Sequence, residues 1–204
     1  MNRISQYLVY PIVWLFSTLS FEVEFRNPDG FVPIIGKPAI IVANHISFYD
    51  SFLLRLNPHW TSLSVYFMGV TRFNAWQMRL LHHIGIIPLV YALFGVFVVV
   101  PGRGLEKNLE APRNILAEGN HIFIFPEGSV NITGTLLNPF KKGAATLAVM
   151  TSVPVLPIGF KAIHEAGRKK RIIITLGETV IFPVGTDYGE ATKKLEDAVR
   201  VLLQ

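Results

Sequence analysis

The sequence predicts an α/β fold, a mixed and mainly parallel sheet flanked by helices, preceded by an N-terminal membrane-associating helical segment. Three observations lead there. Short β-branched apolar runs, such as Ala39-Ile40-Ile41-Val42-Ala43 and Phe123-Ile124-Phe125, alternate with stretches whose apolar residues recur at helical spacing. Polar residues able to do chemistry stand just after two of those runs, where open α/β sheets bind ligands. The N-terminus is apolar behind Arg3.

Composition narrows the class. At 204 residues the chain is expected to form one domain with a sizeable core. Half its residues are hydrophobic and 16% are charged, which is apolar for a soluble protein of this size. It has no cysteine, which excludes disulfides, thiolate zinc sites and a cysteine nucleophile, and fits a reducing compartment. The net charge of +5 points to an anionic partner. So apolar a composition favours lipid over nucleic acid.

The elements follow in chain order. From Ile4 through Leu8, Val9, Ile12, Trp14 and Phe16 to Phe21 the sequence is apolar, but Pro11, Ser17, Thr18 and Ser20 interrupt it. With Tyr7, Tyr10 and Trp14 suited to a headgroup layer, it reads as an interfacial anchor, an ordinary core helix being the other reading. Asn27-Pro28-Asp29-Gly30 is a turn. The strand at residues 39–43 is followed by a helix from about Ser51, and another strand is expected at residues 65–68. Phe73 to Leu81 has helical spacing beside Arg72, Arg79, His82 and His83, so it either lies on a membrane surface or packs on the sheet. Residues 84–102 carry no charge and have the length of a membrane span. Gly85, Pro88 and Gly95 argue against one helix, and the reading is a strand over 84–89 followed by an apolar insertion, 91–100, that dips into lipid. A helix over 105–118 is closed by Gly119, and a strand follows at 121–125. A small-residue helix runs to about Met150, and Val153-Pro154-Val155-Leu156-Pro157-Ile158 is a proline-bounded strand. Two late strands, 172–176 and 179–182, precede a last helix with Leu195, Ala198, Val199 and Leu202 on one face.

The chemistry sits in Asn44-His45-Ile46-Ser47-Phe48-Tyr49-Asp50, which places a histidine and a carboxylate five positions apart at a strand's C-terminal end. An imidazole oriented by a carboxylate is a general base for a hydroxyl or thiol proton. Taken alone the spacing is compatible with a surface histidine and a helix-start aspartate. Phe125-Pro126-Glu127-Gly128-Ser129 puts a second carboxylate at another strand end, and two such ends can form one crevice. If His45 and Glu127 serve one site, residues 84–102 cannot cross a membrane once between them. The lack of cysteine and of a His-x-x-x-His pattern leaves no metal site to expect.

Four segments, in order, resemble the glycerolipid acyltransferase family of the lysophosphatidic-acid acyltransferase type. Asn44-His45 with Asp50 resembles its His-x4-Asp motif, and Phe125-Pro126-Glu127-Gly128-Ser129 its Phe-Pro-Glu-Gly-Thr/Ser motif. Phe140-Lys141-Lys142-Gly143-Ala144 and the strand at 153–158 resemble the segments that follow them. The likeness covers roughly residues 20–160; together with the interfacial reading of the N-terminus it divides the chain into a membrane-associating segment over residues 1–22 and an acyltransferase domain over 23–204. It also implies transfer of a fatty acyl group from acyl-CoA or acyl carrier protein to the hydroxyl of lysophosphatidic acid, giving phosphatidic acid. His45 would be the base and Asp50 its orienting partner. Glu127, Gly128, Ser129, Arg103 and Lys142 would bind the acceptor, and no cofactor beyond the thioester co-substrate is implied. Two positions depart from the pattern. Val130-Asn131 stand where an arginine commonly follows the Glu-Gly-Ser, and the strand read at 84–89 leads into Tyr91, the next arginine being Arg103. The alternatives are the same chemistry on a different lysolipid, and a non-catalytic lipid-binding homologue. The expected setting is the cytoplasmic face of a membrane, with membrane lipids and the acyl donor as partners and no nucleic acid. The sequence gives no oligomeric state.

Overall fold

The computed structural model describes residues 11, 14–70, 76–100, 102–164, 166, 167 and 169–204. Most of the expected N-terminal anchor, residues 1–10, 12 and 13, lies outside them. What is described there is a helix over residues 14–20, α1, leading into strand β1 (Phe21–Arg26). No helix among the described residues is long and apolar enough to cross a membrane.

Seven strands form one sheet in the order β1-β7-β6-β2-β5-β3-β4. The inner strands β2 (Ala39–Ala43) and β5 (His121–Ile124) are buried along their whole length. Such continuous burial is what a parallel strand covered on both faces requires, and it explains why these runs do not alternate with polar residues. Beside them lie β3 (Val65–Val70), β4 (Val96–Val99) and β6 (Val155–Ile163), all parallel to β2. The last strand, β7 (Lys170–Leu176), pairs antiparallel with β6 and parallel with β1, so the sheet is mixed.

Alternation along the strands divides the core in two. Ile40, Val42, Ile122 and Ile124 face α5 (Leu105–Ala117), α6 (Gly143–Thr151) and α7 (Tyr188–Val201). Ala39, Ile41, Ala43 and Phe123 face the other way, onto the 3-10 turn Pro28–Ile34, the short helix α2 (Asp50–Leu53) and Trp60. Each fully buried Ile or Phe contributes about 1.5–3 kcal/mol relative to exposure. Helix α6 is built of small, mostly apolar residues because Ala144 to Val149 are all buried, whereas α7 buries only Ala191, Thr192, Leu195 and Val199. Asp187 starts α7 by accepting hydrogen bonds from the N–H groups of Gly189 and Glu190.

Three expectations are corrected. Residues 84–89 are not a strand: α3 (Trp76–His83) turns at Gly85 into helix α4 (Ile86–Phe94). The strand is β4, placed in what the sequence suggested was an insertion. Gly85 and Gly95 bound α4 with φ of 86° and 67°, a left-handed conformation that glycine adopts freely, so they delimit the helix instead of weakening it. Residues 179–182 form a single bridge, Val180 to Val155, instead of a strand. Phe21, expected to end the anchor, instead opens the edge strand β1 (Phe21–Arg26), which the sequence reading did not expect and whose polar–apolar alternation suits a half-exposed position.

Candidate active site

Strands β2 and β5 are neighbours, and the chain leaves their C-terminal ends toward opposite faces of the sheet. After β2 it enters α2 on one face; after β5 it reaches α6 on the other. A crevice opens at such a point. His45 lies two residues past β2 and Glu127 three past β5, so the two motifs meet there.

His45 is fixed from two sides. Its Nδ1 lies 3.0 Å from Asp50 Oδ2, and its ring stacks on Phe125 at 3.8 Å between centroids and 9° between planes. Asp50 Oδ2 also accepts the N–H groups of Ile46 at 2.7 Å and Ser47 at 2.8 Å, while Oδ1 accepts the Ser47 hydroxyl at 2.5 Å. A carboxylate so surrounded by donors accepts from the imidazole too, which puts the ring proton on Nδ1 and leaves Nε2 as the basic nitrogen. Asp50 is 0% exposed at its side chain and His45 16%, so the anchor is dry while the base keeps an open edge. The Ser47-x-x-Asp50 spacing is that of a helix-start capping pair, a signal for Ser47 that the sequence carried unread.

The main chain around His45 is clamped. Glu127 is buried; its Oε1 accepts the His45 N–H at 2.7 Å and its Oε2 the Asn138 N–H at 2.9 Å. The Asn131 N–H donates to the His45 carbonyl at 2.7 Å. On the β6 side, buried Asn44 grips Phe160 twice, accepting its N–H at 2.7 Å and donating to its carbonyl at 2.9 Å. Burial pushes Glu127 above its ordinary carboxylate range, and the bonds from His45 and Asn138 pull it back only in part. Both Glu127 oxygens therefore hold backbone. That clasp role lay outside reach of the sequence, because neither Asn131 nor Asn138 is tied to His45 by spacing.

The rim carries the cations. Gly128 has φ of 75°, and a Cβ there would come within 2.4 Å of Lys141 Nζ, so the glycine makes room for that ammonium. Lys142, next to it, sits at the start of α6. Its charge adds to the N–H groups of Glu190 and Gly189 in holding Asp187 low. Lys141 is thus the nearer cation to the Glu127-Gly128 turn. Ser129 is exposed one residue on. Arg103 is exposed in the turn between Gly102 and Gly104 that follows β4, at the same end of the sheet as His45. Three strand spacings, about 14 Å, separate β4 from β2. Leu105 comes within 3.9 Å of the Cβ position at Gly143, which draws the Arg103 turn toward the Lys141 segment. Among the described residues no cluster of histidine and acidic side chains could hold a metal ion.

Comparison with known proteins identifies the family. The profile of the family described as Acyltransferase matches residues 22–161, which include His45, Asp50, Arg103 and Glu127. The chain is 33% identical over 151 residues to a chloroplastic 1-acyl-sn-glycerol-3-phosphate acyltransferase of Arabidopsis thaliana, covering 72% of this chain and 39% of that one. Against the human 1-acyl-sn-glycerol-3-phosphate acyltransferase beta the figures are 29% over 170 residues, 81% and 55%. The chain thus spans from about a third to just over half the length of such relatives. The crystal structure of the 1-acyl-sn-glycerophosphate acyltransferase PlsC from Thermotoga maritima shares the fold, with a TM-score of 0.61 at 22% identity over 98% of this chain and 75% of that one. With the family profile covering most of the sheet and every strand end that builds the crevice, this chain belongs to the acyltransferase family.

Proposed function

We propose that this protein transfers a fatty acyl group from a thioester, acyl-CoA or acyl carrier protein, to the free hydroxyl of lysophosphatidic acid, giving phosphatidic acid. The observation that carries this reading is the pairing of His45 Nδ1 with buried Asp50, which leaves Nε2 of a partly exposed ring as the basic nitrogen. Nε2 takes the hydroxyl proton as the acceptor oxygen attacks the thioester carbonyl. The C–O bond forms, the C–S bond breaks, and the imidazolium returns the proton to the leaving thiolate. Asp50 stabilises that imidazolium. Such a base is worth about 10²–10⁴-fold in rate. No acyl-enzyme is needed, which suits a chain without cysteine. No cofactor takes part in this scheme.

Glu127 supports the reaction by holding the His45 main chain, and its remaining lone pairs face the acceptor's hydroxyls. Gly128 and Ser129 form the turn under the acceptor, while Arg103, Lys141 and Lys142 supply positive charge for its phosphate. The names of the matched relatives support this acceptor, and so do Lys141, folded over Gly128, and Arg103, exposed at the same end of the sheet. Val130, which carries no charge where a second arginine is common, favours the other reading, the same chemistry on an uncharged or zwitterionic lysolipid. A panel of lysolipid acceptors separates them. Preference for lysophosphatidic acid, with Arg103→Ala raising KM for that acceptor more than for lysophosphatidylcholine, is expected. Equal or better use of the zwitterionic acceptor would overturn the phosphate assignment while leaving the reaction class standing. The setting consistent with a lipid acceptor and a thioester donor is the cytoplasmic face of a membrane.

A further inference from the structure

Helix α4 has its apolar residues on the wrong side for a water-soluble protein. Its inward face is Ile87, Tyr91 and Phe94: Ile87 is buried, the Tyr91 ring lies over Gly69 of β3, and Phe94 packs on Phe52 at 5.4 Å. Its outward face, at the i, i+3, i+4, i+7 spacing of one helical stripe, is Ile86, Leu89, Val90 and Leu93, all exposed and without a polar residue among them. A helix apolar all round is stable only where something apolar covers it. On the preceding helix Trp76 and Leu80 are exposed on one stripe with Arg79 and His83.

The surface continues to the catalytic loop. Phe48, three residues from His45, is 81% exposed, and its neighbour Tyr49 touches Phe16 of α1 at 5.4 Å. Helix α1 exposes Trp14, Leu15, Phe16 and Leu19 beside it. So α1, the His45–Asp50 loop and α4 share one apolar rim around the crevice. Charge says what covers it. Residues 51–105 contain no aspartate or glutamate and four arginines, of which Arg79 and Arg103 are exposed beside the rim. An anionic bilayer offers apolar depth and diffuse negative charge together, the combination that an apolar face flanked by arginines and free of carboxylates fits.

We infer that the outward face of α4, with Phe48 and the exposed stripe of α3, is a docking face for an anionic lipid bilayer, and that it sets the crevice of His45 at the level of the headgroups. This placement rests on the proposed use of a lipid acceptor, but its test needs no turnover. The full-length protein is floated with phosphatidylglycerol–phosphatidylcholine vesicles and with phosphatidylcholine vesicles. Replacing Leu89 and Leu93 together by Glu is expected to cut partitioning by about tenfold or more. Arg79→Gln is expected to cut it by about fivefold on the anionic vesicles only. Val201→Glu, an exposed apolar position on α7, is expected to leave it unchanged. The proposal is overturned if the Leu89/Leu93 variant floats like the wild type. It is equally overturned if that variant only turns a dimer into a monomer, or only lowers Tm, either of which assigns the face to protein instead of lipid. If vesicle binding behaves as expected but no acyl transfer is found, the functional reading fails and the docking face stands.

Discussion

At the scale of single residues, the site is a set of assigned hydrogen bonds, and each can be broken separately. Asp50→Asn places an amide where Oδ2 accepts from His45, Ile46 and Ser47, so donor meets donor and the imidazole loses its fixed tautomer. A fall in kcat of about 10²–10⁴-fold is expected, with KM for either substrate little changed. Glu127→Gln likewise sets an NH₂ against the N–H of His45 or Asn138. Burial raises the Glu127 pKa in the folded protein, so its proton is held more tightly folded than unfolded. The stability it contributes is then fullest below its ordinary value of 4.5 and is lost as pH rises through the folded value. Unfolding curves across that window are expected to show wild type losing ground against Glu127→Gln as pH increases. Arg55 is a different case. It is 2% exposed, lies between Phe67 and Phe94 at 5.5 and 5.3 Å, and has no carboxylate or hydrogen-bond partner among the described residues. Desolvation alone lowers its pKa to about 10. Arg55→Met keeps the stacking volume and removes the buried charge, so a gain of about 1–2 kcal/mol and roughly 2–8 °C in Tm is expected by calorimetry.

At the scale of elements, the crevice depends on how strand ends are fastened. Asn44 extends the β2–β6 pairing past the last backbone bond by capping Phe160 with its amide. Asn44→Ala leaves a buried N–H and a buried carbonyl unpaired, at a cost of about 1–3 kcal/mol measured by denaturant unfolding. The strands themselves were legible in the sequence wherever burial on both faces made them continuous and β-branched, as at 39–43, 121–125 and 155–158. The misreading at 84–100 has a physical cause. α4 is apolar on its outward stripe as well as its inward one, so its periodicity vanishes and an exposed helix looks like a buried strand. With β4 placed at 96–99, Arg103 follows that strand by four residues.

At the scale of the whole molecule, the residues of the proposed site share one end of the sheet. His45 and Glu127, 82 residues apart in sequence, meet past the ends of the neighbouring strands β2 and β5, and Arg103 follows β4 at the same end of the sheet, three strand spacings from β2. The pairing of His45 with Asp50 was readable because five residues fit within one loop. The clasp by Glu127, Asn131 and Asn138 was not, because it joins segments whose adjacency only the strand order β2-β5 creates. The central claim is that His45 removes the acceptor's proton. It is tested most directly by following a labelled acyl group from a thioester to lysophosphatidic acid with wild type and with His45→Ala, at matched Tm and vesicle binding. Transfer by the wild type and a loss of at least about 10²-fold in the variant are expected; transfer persisting at the wild-type rate would contradict the account.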